Sequence, residues 1–233
     1  VPKKIWQLAG PASREQRTCI DNSQEQWKII NPDYQYRCLT AEDQYNFVQR
    51  ASYYKPGLLK TYNAIRNDQV LHAELVRYLI LFVEGGVYTD KGTQPVRPIQ
   101  DWVPPDFRGS ANVVLIIEPD KGLRTLWEPF AMGLAPFAVM VKPHHPLLNL
   151  VVESLQKAVM DFLKTPETKA GLPQISFEDL KSLTGPLLLI KSVLRYLSER
   201  TGSKIGGEEI SSITAPTLIA DILILPIGKL SSG

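Results

Sequence analysis

The sequence predicts a single α/β domain over residues 1–233, with a mostly parallel central sheet flanked by helices. Two observations carry this prediction. Short strand-like segments alternate with longer helix-like segments along most of the chain. The strand-like segments are also almost continuously apolar, as in parallel strands that are buried on both faces. A chain of 233 residues, 44% of them hydrophobic, is long enough for one domain with a large core.

The first part of the chain predicts a β-α-β unit and then three helices. Residues 3–9 and 34–40 have the pattern of short strands, and residues 13–30 have helix-compatible spacing that ends at an Asn-Pro pair. Gly85 and Gly86 mark the end of the last of these three helices, because glycine readily adopts the positive φ that ends a helix. These three helices are predicted over residues 41–52, 57–65 and 69–83.

A short strand, residues 87–89, precedes a proline-rich segment, residues 95–107, which predicts an extended excursion without helix. The rest of the chain continues the alternation. Strands are predicted at residues 112–118, 137–142 and 221–227, and helices at residues 146–163 and 185–200.

The net charge of +2, from 26 basic and 24 acidic residues, gives no strong overall field. The sequence contains no block of Lys and Arg that would indicate a nucleic-acid surface. Its longest apolar runs fall short of the roughly 20 residues that a membrane span needs. Because the chain begins at Val1 rather than Met, we expect a targeting or anchoring segment upstream of it.

The two cysteines, Cys19 and Cys38, leave two alternatives open. They form one disulfide, or they are two buried thiols that pack as small hydrophobic side chains. Neither alternative identifies the compartment.

An acid, Asp90, directly follows the strand 87–89. Ligands of α/β sheets bind at the carboxyl ends of strands, where a carboxylate can hold a divalent cation or a ribose hydroxyl. The alternative is that Asp90 only caps a turn, by a hydrogen bond to the backbone two residues further on.

Glu74 and Arg77 are three residues apart on the helix that leads to this strand, so their side chains share one face. The helix is apolar nearly all round, which predicts burial on most sides. A buried arginine needs a partner. Either Glu74 only neutralises Arg77, or both point into a polar cleft where the arginine also binds an oxygen-rich ligand.

Two other places carry candidate residues. Glu118 is the last residue of a predicted inner strand, which suits either a role beside a substrate or an ordinary cap or ion pair. Thr184 and Gly185 precede Pro186, a pattern typical of a helix start.

Five segments in order, "VPKKIWQ", "NPDYQY", "AELVRYLILFVEGGVYTD", "VKPHHPLL" and "LTGPLLL", resemble the glycosyltransferases that share a DXD sugar-binding region. The resemblance is closest to the Och1-like fungal α-1,6-mannosyltransferases of glycosyltransferase family 32. It implies a GT-A fold, a GDP-mannose donor, an oligomannose N-glycan acceptor, Mn²⁺ at the diphosphate and transfer with retention. It also implies a type II membrane protein that faces the Golgi lumen.

The resemblance assigns roles to individual residues. Trp6 and Gln7 would lie near the nucleotide base. Glu74 stands where the family usually has Asp, and with Arg77 it would reach the ribose and the sugar hydroxyls. Tyr88 would lie close to the diphosphate.

The resemblance also identifies Asp90 as the first acid of the DXD pair and as the metal ligand. In relatives the turn at Thr184 and Gly185 faces the active site, and the position of Glu118 at the end of its strand would suit a catalytic role beside the sugar. Gly92 stands where the motif has its second acid, so we expect weak Mn²⁺ binding and poor transfer.

The chain also ends where family members continue into a segment that closes over the phosphates, so we expect that closing segment to be missing. The alternative to an impaired enzyme is a catalytically inactive subunit that binds a nucleotide sugar or a glycan.

Overall fold

The structure is a computed structural model, and it describes residues 1–10, 22–118, 133–164 and 186–226. Within these residues one mixed sheet of seven strands is flanked by helices. The strands are β1 (Lys4–Leu8), β2 (Gln35–Leu39), β3 (Gly86–Thr89), β4 (Val113–Glu118), β5 (Gly133–Val141), β6 (Thr217–Ile219) and β7 (Ile222–Pro226). The helices are α1 (Asn22–Ile30), α2 (Ala41–Ala51), α3 (Leu58–Ile65), α4 (Gln69–Glu84), α5 (Pro146–Phe162), α6 (Pro186–Thr201) and α7 (Gly207–Ser211).

The sheet has the strand order β2-β1-β3-β5-β4-β7-β6. Strand β1 pairs in parallel with β2 and with β3, and β4 pairs in parallel with β7. The other three pairings, β3–β5, β4–β5 and β6–β7, are antiparallel. The α/β architecture predicted from the sequence is confirmed, but the sheet is mixed rather than mostly parallel. The apolar runs could not reveal this, because β5 lies buried between β3 and β4 and is apolar whichever way it points.

Each face of the sheet carries its own layer. Alternate residues such as Trp6 and Tyr88 pack against helices α2 to α7 in the larger core cluster. Their neighbours, such as Ile5 and Val87, face the other side, where they pack with Trp27 of α1 and with the segment around Trp102. The period of two along each strand therefore separates the two cores.

Helix α4 begins and ends as the sequence predicts. The carboxylate of Asp68 accepts hydrogen bonds from the backbone N–H groups of Val70 and Leu71, both at 3.0 Å. At the other end Gly85 and Gly86 have φ angles of 62° and 103°. A Cβ on Gly85 would lie 2.6 Å from Pro143, and one on Gly86 would lie 2.7 Å from the carbonyl oxygen of Lys4. Only glycine allows the chain to turn this tightly from α4 into β3.

Two details of the predicted elements differ from the structure, and a third lies partly outside the described residues. The proline-rich segment contains two short 3₁₀ helices, Ile99–Asp101 and Pro105–Phe107, so the prediction that it excludes helix was wrong. Each follows a proline, whose fixed φ suits the start of a helical turn. The short elements α7 and β6 were not predicted, because three to five residues carry too little periodicity. The predicted helix over residues 13–30 is observed from Asn22, and its first part lies outside the described residues.

Cys38 forms a disulfide, which decides between the two alternatives for the cysteines. The sequence contains one other cysteine, Cys19, which lies outside the described residues. None of the helices in the described residues is long and apolar enough to cross a membrane.

Candidate active site at the carboxyl end of strand β3

The candidate site lies where β3 leaves the sheet. All four residues of β3 are buried, and Asp90 follows directly, with its side chain 44% exposed. In the parallel pairing of β1 with β3, Trp6 lies opposite Tyr88. Because successive side chains of a strand alternate between its faces, those of Tyr88 and Thr89 point to opposite faces of the sheet. Asp90 lies at the end of the strand, at the edge of the sheet.

Arg77 and Asp90 lie together at this edge. The Nη1 atom of Arg77 is 3.8 Å from Oδ1 of Asp90, and the hydroxyl of Tyr88 donates a hydrogen bond of 3.0 Å to the same oxygen. Arg77 is 7% exposed, so a buried cation on α4 meets a carboxylate that solvent reaches. The guanidinium suits an oxygen-rich anionic ligand, and the carboxylate suits a cation that accompanies such a ligand.

Aromatic rings and acids surround the guanidinium of Arg77. Its Cζ atom lies 5.4 Å from the ring centre of Tyr78 and 5.2 Å from that of Tyr88, within the range of cation–π attraction. Its Nη2 atom is 3.9 Å from Oε1 of Glu74, an ion pair that is too long for a hydrogen bond. Burial alone would lower the pKa of Arg77, but the tyrosines and the carboxylates of Asp90 and Glu74 raise it above its usual value. Arg77 therefore stays charged.

Glu74 is only 3% exposed. Burial raises the pKa of Glu74 to about 7, although the charge of Arg77 opposes this shift. Among the described residues, neither Oε2 of Glu74 nor the hydroxyl of Tyr78 has a hydrogen-bond partner. A buried polar atom without a partner costs about 1–3 kcal/mol. Two such atoms beside Arg77 indicate that a ligand can complete this cluster.

The residues after β3 form a tight turn, Asp90 to Thr93, which we call the 90–93 turn. The carbonyl oxygen of Asp90 accepts hydrogen bonds from the backbone N–H of Thr93 at 3.2 Å and from its hydroxyl at 2.6 Å. Gly92, the third residue, has φ +85°, as a type II turn requires. A Cβ added at Gly92 would meet nothing within 4 Å. The turn therefore favours glycine through backbone conformation, while leaving room for a side chain.

Residues 19–107, which contain this turn, match the family model described as a glycosyltransferase sugar-binding region containing a DXD motif. The matched residues make up less than half of the chain. The chain is 28% identical to the initiation-specific α-1,6-mannosyltransferase of Schizosaccharomyces pombe, over 100% of this chain and 58% of that protein. It is 24% identical to the protein of the same name in Candida albicans, over 99% of this chain and 65% of that protein. The resemblance identified from the sequence is confirmed, and the chain spans less than two thirds of the length of these relatives.

The fold of the chain also resembles a solved structure, the PaToxG glycosyltransferase. The TM-score is 0.55 at 13% identity, over 87% of this chain and 72% of that chain. At this identity the likeness concerns the fold alone, and it agrees with the α/β sheet described above.

Gln7 and Trp6, both predicted to contact the nucleotide, have different surroundings. The amide Nε2 of Gln7 donates to the hydroxyl of Thr89 at 3.0 Å and to the carbonyl of Asp90 at 3.3 Å, and its Oε1 accepts from the hydroxyl of Tyr36. Gln7 thus lies beside the site, with its amide engaged by the protein. The indole of Trp6 donates to the carbonyl of Gly85 at 2.8 Å, at the opposite end of β3 from Asp90. Nucleotide contact by either residue stays a prediction.

The other predicted site residues lie partly outside the described residues. Glu118 ends β4, which runs in the same direction as β3, so its backbone lies at the same edge of the sheet. One strand, β5, separates the two, which corresponds to about 10 Å between β3 and β4. Thr184 and Gly185 lie outside the described residues.

Four residues of the site were missed from the sequence: Tyr36, Thr89, Thr93 and Trp27. Tyr36 and Thr89 occur in quoted segments of the resemblance, but neither has a charge or a spacing that separates it from ordinary strand residues. Trp27 donates from its indole to the carbonyl of Thr93 at 2.9 Å. Only the structure shows this contact, because 66 residues separate the two along the chain.

A second polar cluster lies at the opposite edge of the sheet. Asp221 accepts hydrogen bonds from Asn112 at 2.7 Å and from Tyr196 at 2.9 Å, and it lies 2.9 Å from Nε2 of His145. The Nδ1 atom of His145 accepts from the backbone of Leu147 and so caps α5. These bonds lower the pKa of Asp221, although burial opposes the shift. The cluster lines a cavity of about 580 Å³ and joins β4, β7, α5 and α6.

Proposed function

We propose that this region transfers mannose from GDP-mannose to an oligomannose N-glycan, in α-1,6 linkage and with retention at the anomeric carbon. The names of the relatives support α-1,6-mannosyl transfer, while the GDP-mannose donor and retention follow from the resemblance. The meeting of Arg77, Tyr88 and Asp90 at one sheet edge is the observation that carries the proposal. The proposed setting is the Golgi lumen, with a membrane anchor upstream of Val1, as the resemblance implies.

The surroundings of Arg77 suit an activated sugar. A guanidinium offers five N–H donors in a fixed fork, and this one is buried and remains charged. The Oε2 atom of Glu74 and the hydroxyl of Tyr78 lack partners among the described residues, so hydroxyl groups of a sugar or ribose would satisfy them. Glu74 accepts such a bond when ionised and donates one when protonated, and its pKa of about 7 makes both forms accessible.

Of the two acids of the DXD motif, the chain has only Asp90 to bind a divalent cation. One oxygen of Asp90 is bonded by Tyr88, and its carboxylate is 44% exposed and so reachable by a ligand. Gly92 contributes no side-chain oxygen, and no group of three or more His, Cys, Asp or Glu residues in the described ranges could hold a metal. Asp90 would therefore hold Mn²⁺ only together with oxygens of the diphosphate, and weakly. When bound, the cation would neutralise charge on the departing diphosphate.

Retention implies that the acceptor hydroxyl attacks from the same face that the diphosphate leaves. The leaving phosphate oxygen can then take the acceptor's proton, so a separate protein base is not required. The role left to this chain is to bind and orient the donor. Arg77 would donate hydrogen bonds to phosphate or sugar oxygens, and Tyr88 would hold the carboxylate of Asp90 in place.

The deciding experiment incubates GDP-mannose and Mn²⁺ with the protein, with and without an oligomannose acceptor. Transfer that is weak in the wild type and stronger in Gly92→Asp supports the proposal. Free mannose formed without acceptor would instead identify a hydrolase. Gly92 favours one further candidate, an inactive donor-binding subunit, for which both proteins would bind GDP-mannose and neither would transfer. Calorimetric titration of GDP, GDP-mannose and UDP-glucose tests the donor, since binding of the GDP ligands alone is expected.

A further inference from the structure

Helix α1 and the residue that follows it, Asn31, hold the chain after Asp90 at two points. The indole Nε1 of Trp27 donates to the carbonyl of Thr93 at 2.9 Å, and the side-chain oxygen of Asn31 accepts from the backbone N–H of Ile99 at 2.8 Å. The amide of Asn31 also donates to the carbonyl of Trp27 at 3.2 Å, which ties the two contacts together. Trp27 is 2% exposed, and its bond to Thr93 is partly buried, which limits competition from water.

The 90–93 turn is held from its other side by strand β1. Gln7, which is 1% exposed, donates to the carbonyl of Asp90 at 3.3 Å. That same carbonyl accepts from the hydroxyl and the backbone N–H of Thr93. The turn is thus fixed at its first residue by Gln7 and at its last residue by Trp27.

The turn needs this support because of its composition. Gly92 is the most flexible residue available, and it adopts a φ of +85° with no neighbour within 4 Å of where a Cβ would be. Packing therefore does not restrain the middle of the turn. The carboxylate of Asp90 is itself 44% exposed, so its direction depends on how firmly its backbone is held.

We propose that Trp27 is a positioning residue of the donor site. By holding the carbonyl of Thr93 it restricts the 90–93 turn and so keeps the carboxylate of Asp90 directed at the ligand, within reach of Arg77. The identity of that ligand rests on the proposed function, whereas the restriction of the turn does not. Preorganising a site in this way favours binding because less ordering remains to be done when the ligand arrives.

The test is Trp27→Phe, which keeps a buried ring and removes the indole donor. Trp102→Phe is the matched control, because Trp102 packs edge-on against Trp27 at 6.3 Å between ring centres in the same core cluster. Exchange of the Thr93 amide proton, which is bonded to Asp90, is followed by NMR in the absence of ligand. We expect exchange to accelerate about 5- to 10-fold in Trp27→Phe, the scale of one lost hydrogen bond, and to stay at the wild-type rate in Trp102→Phe.

A second variant, Thr93→Val, removes the hydroxyl bond to Asp90 at a half-exposed position, so it tests the same turn without disturbing the core. The affinity for GDP in the presence of Mn²⁺, measured by calorimetry, should fall about 5- to 10-fold in Trp27→Phe and in Thr93→Val, but not in Trp102→Phe.

Equal exchange and equal affinity in Trp27→Phe and Trp102→Phe would overturn the proposal, since both changes would then act only on the core. If the wild type binds no GDP, the proposed donor is wrong, and the exchange of Thr93 alone decides whether Trp27 restricts the turn.

Discussion

Gly92→Asp places a second carboxylate in the 90–93 turn, where the DXD motif would have one. Its cost comes from the backbone, because φ at Gly92 is +85° and a Cβ there meets no atom within 4 Å. An L-residue in this conformation costs about 1 kcal/mol, and Asp tolerates it better than most. For a domain of this size we expect the melting temperature to fall by about 2–4 °C.

The gain is electrostatic. Gly92 is exposed, so the interaction is screened as in water. A dication and a carboxylate about 4 Å apart then attract each other by about 2 kcal/mol, which corresponds to an approximately 30-fold gain in affinity. Direct coordination would exceed this value, and strain in the turn would reduce it.

The matched control is Gly202→Asp. Gly202 also has a positive φ, +70°, and also has no atom within 4 Å of an added Cβ, but it follows α6. Both variants should lose similar stability in a thermal melt. Calorimetric titration of Mn²⁺ with GDP should show tighter binding in Gly92→Asp alone. Equal Mn²⁺ affinity in Gly92→Asp, Gly202→Asp and the wild type would refute the view that the missing carboxylate limits metal binding.

Three other changes test separate parts of the account. Arg77→Lys keeps the charge but loses the guanidinium fork, so GDP affinity should fall at least about tenfold; unchanged affinity in calorimetry would remove Arg77 from the site. Burial raises the pKa of Glu74 from 4.5 to about 7, so the folded protein retains a proton that the unfolded chain has lost, and stability falls as pH rises through this window. Glu74→Gln should therefore gain up to about 3 kcal/mol relative to the wild type between pH 4.5 and 8 in urea titrations; a pH-independent difference would contradict the raised pKa. Asp221→Asn weakens the bonds to Asn112, Tyr196 and His145 and should cost about 2 kcal/mol in urea unfolding while leaving GDP affinity unchanged, because the cluster lies at the opposite edge of the sheet; a large loss of affinity would contradict that separation.

The sequence was informative wherever local chemistry determines structure. The glycine pair predicted the end of α4, and the structure confirms it, with the N-cap at Asp68 fixing the start of the helix. The apolar surface of α4 also predicted that Glu74 and Arg77 are buried, as they are. Strand direction was not accessible in this way, because an antiparallel β5 inside the sheet is as apolar as a parallel strand.

The charged residues of the candidate site were predicted from the sequence, and its neutral residues only in part. The resemblance identified Gln7 and Tyr88, which lie beside Asp90, whereas Trp27 and Thr93 were missed. Arg77 stands out because a buried charge requires a partner, and Asp90 stands out because it directly follows an inner strand. Trp27 and Thr93 do not, since a tryptophan on an amphipathic helix is expected in a core and its indole bond to a distant carbonyl leaves no pattern in the sequence. At Gly92 the sequence motif showed that the second carboxylate of DXD is missing. Only the structure, through the positive φ of the turn, explains why glycine is favoured at this position.

The proposed function requires the donor to bind at the sheet edge formed by Arg77 and Asp90. Hydrogen–deuterium exchange of the protein with and without GDP-mannose and Mn²⁺ locates this binding, because it shows where the ligand protects the backbone. We predict protection of the 90–93 turn, with no change around His145 and Asp221. Protection confined to the His145 cluster, with the turn unaffected, would contradict the account.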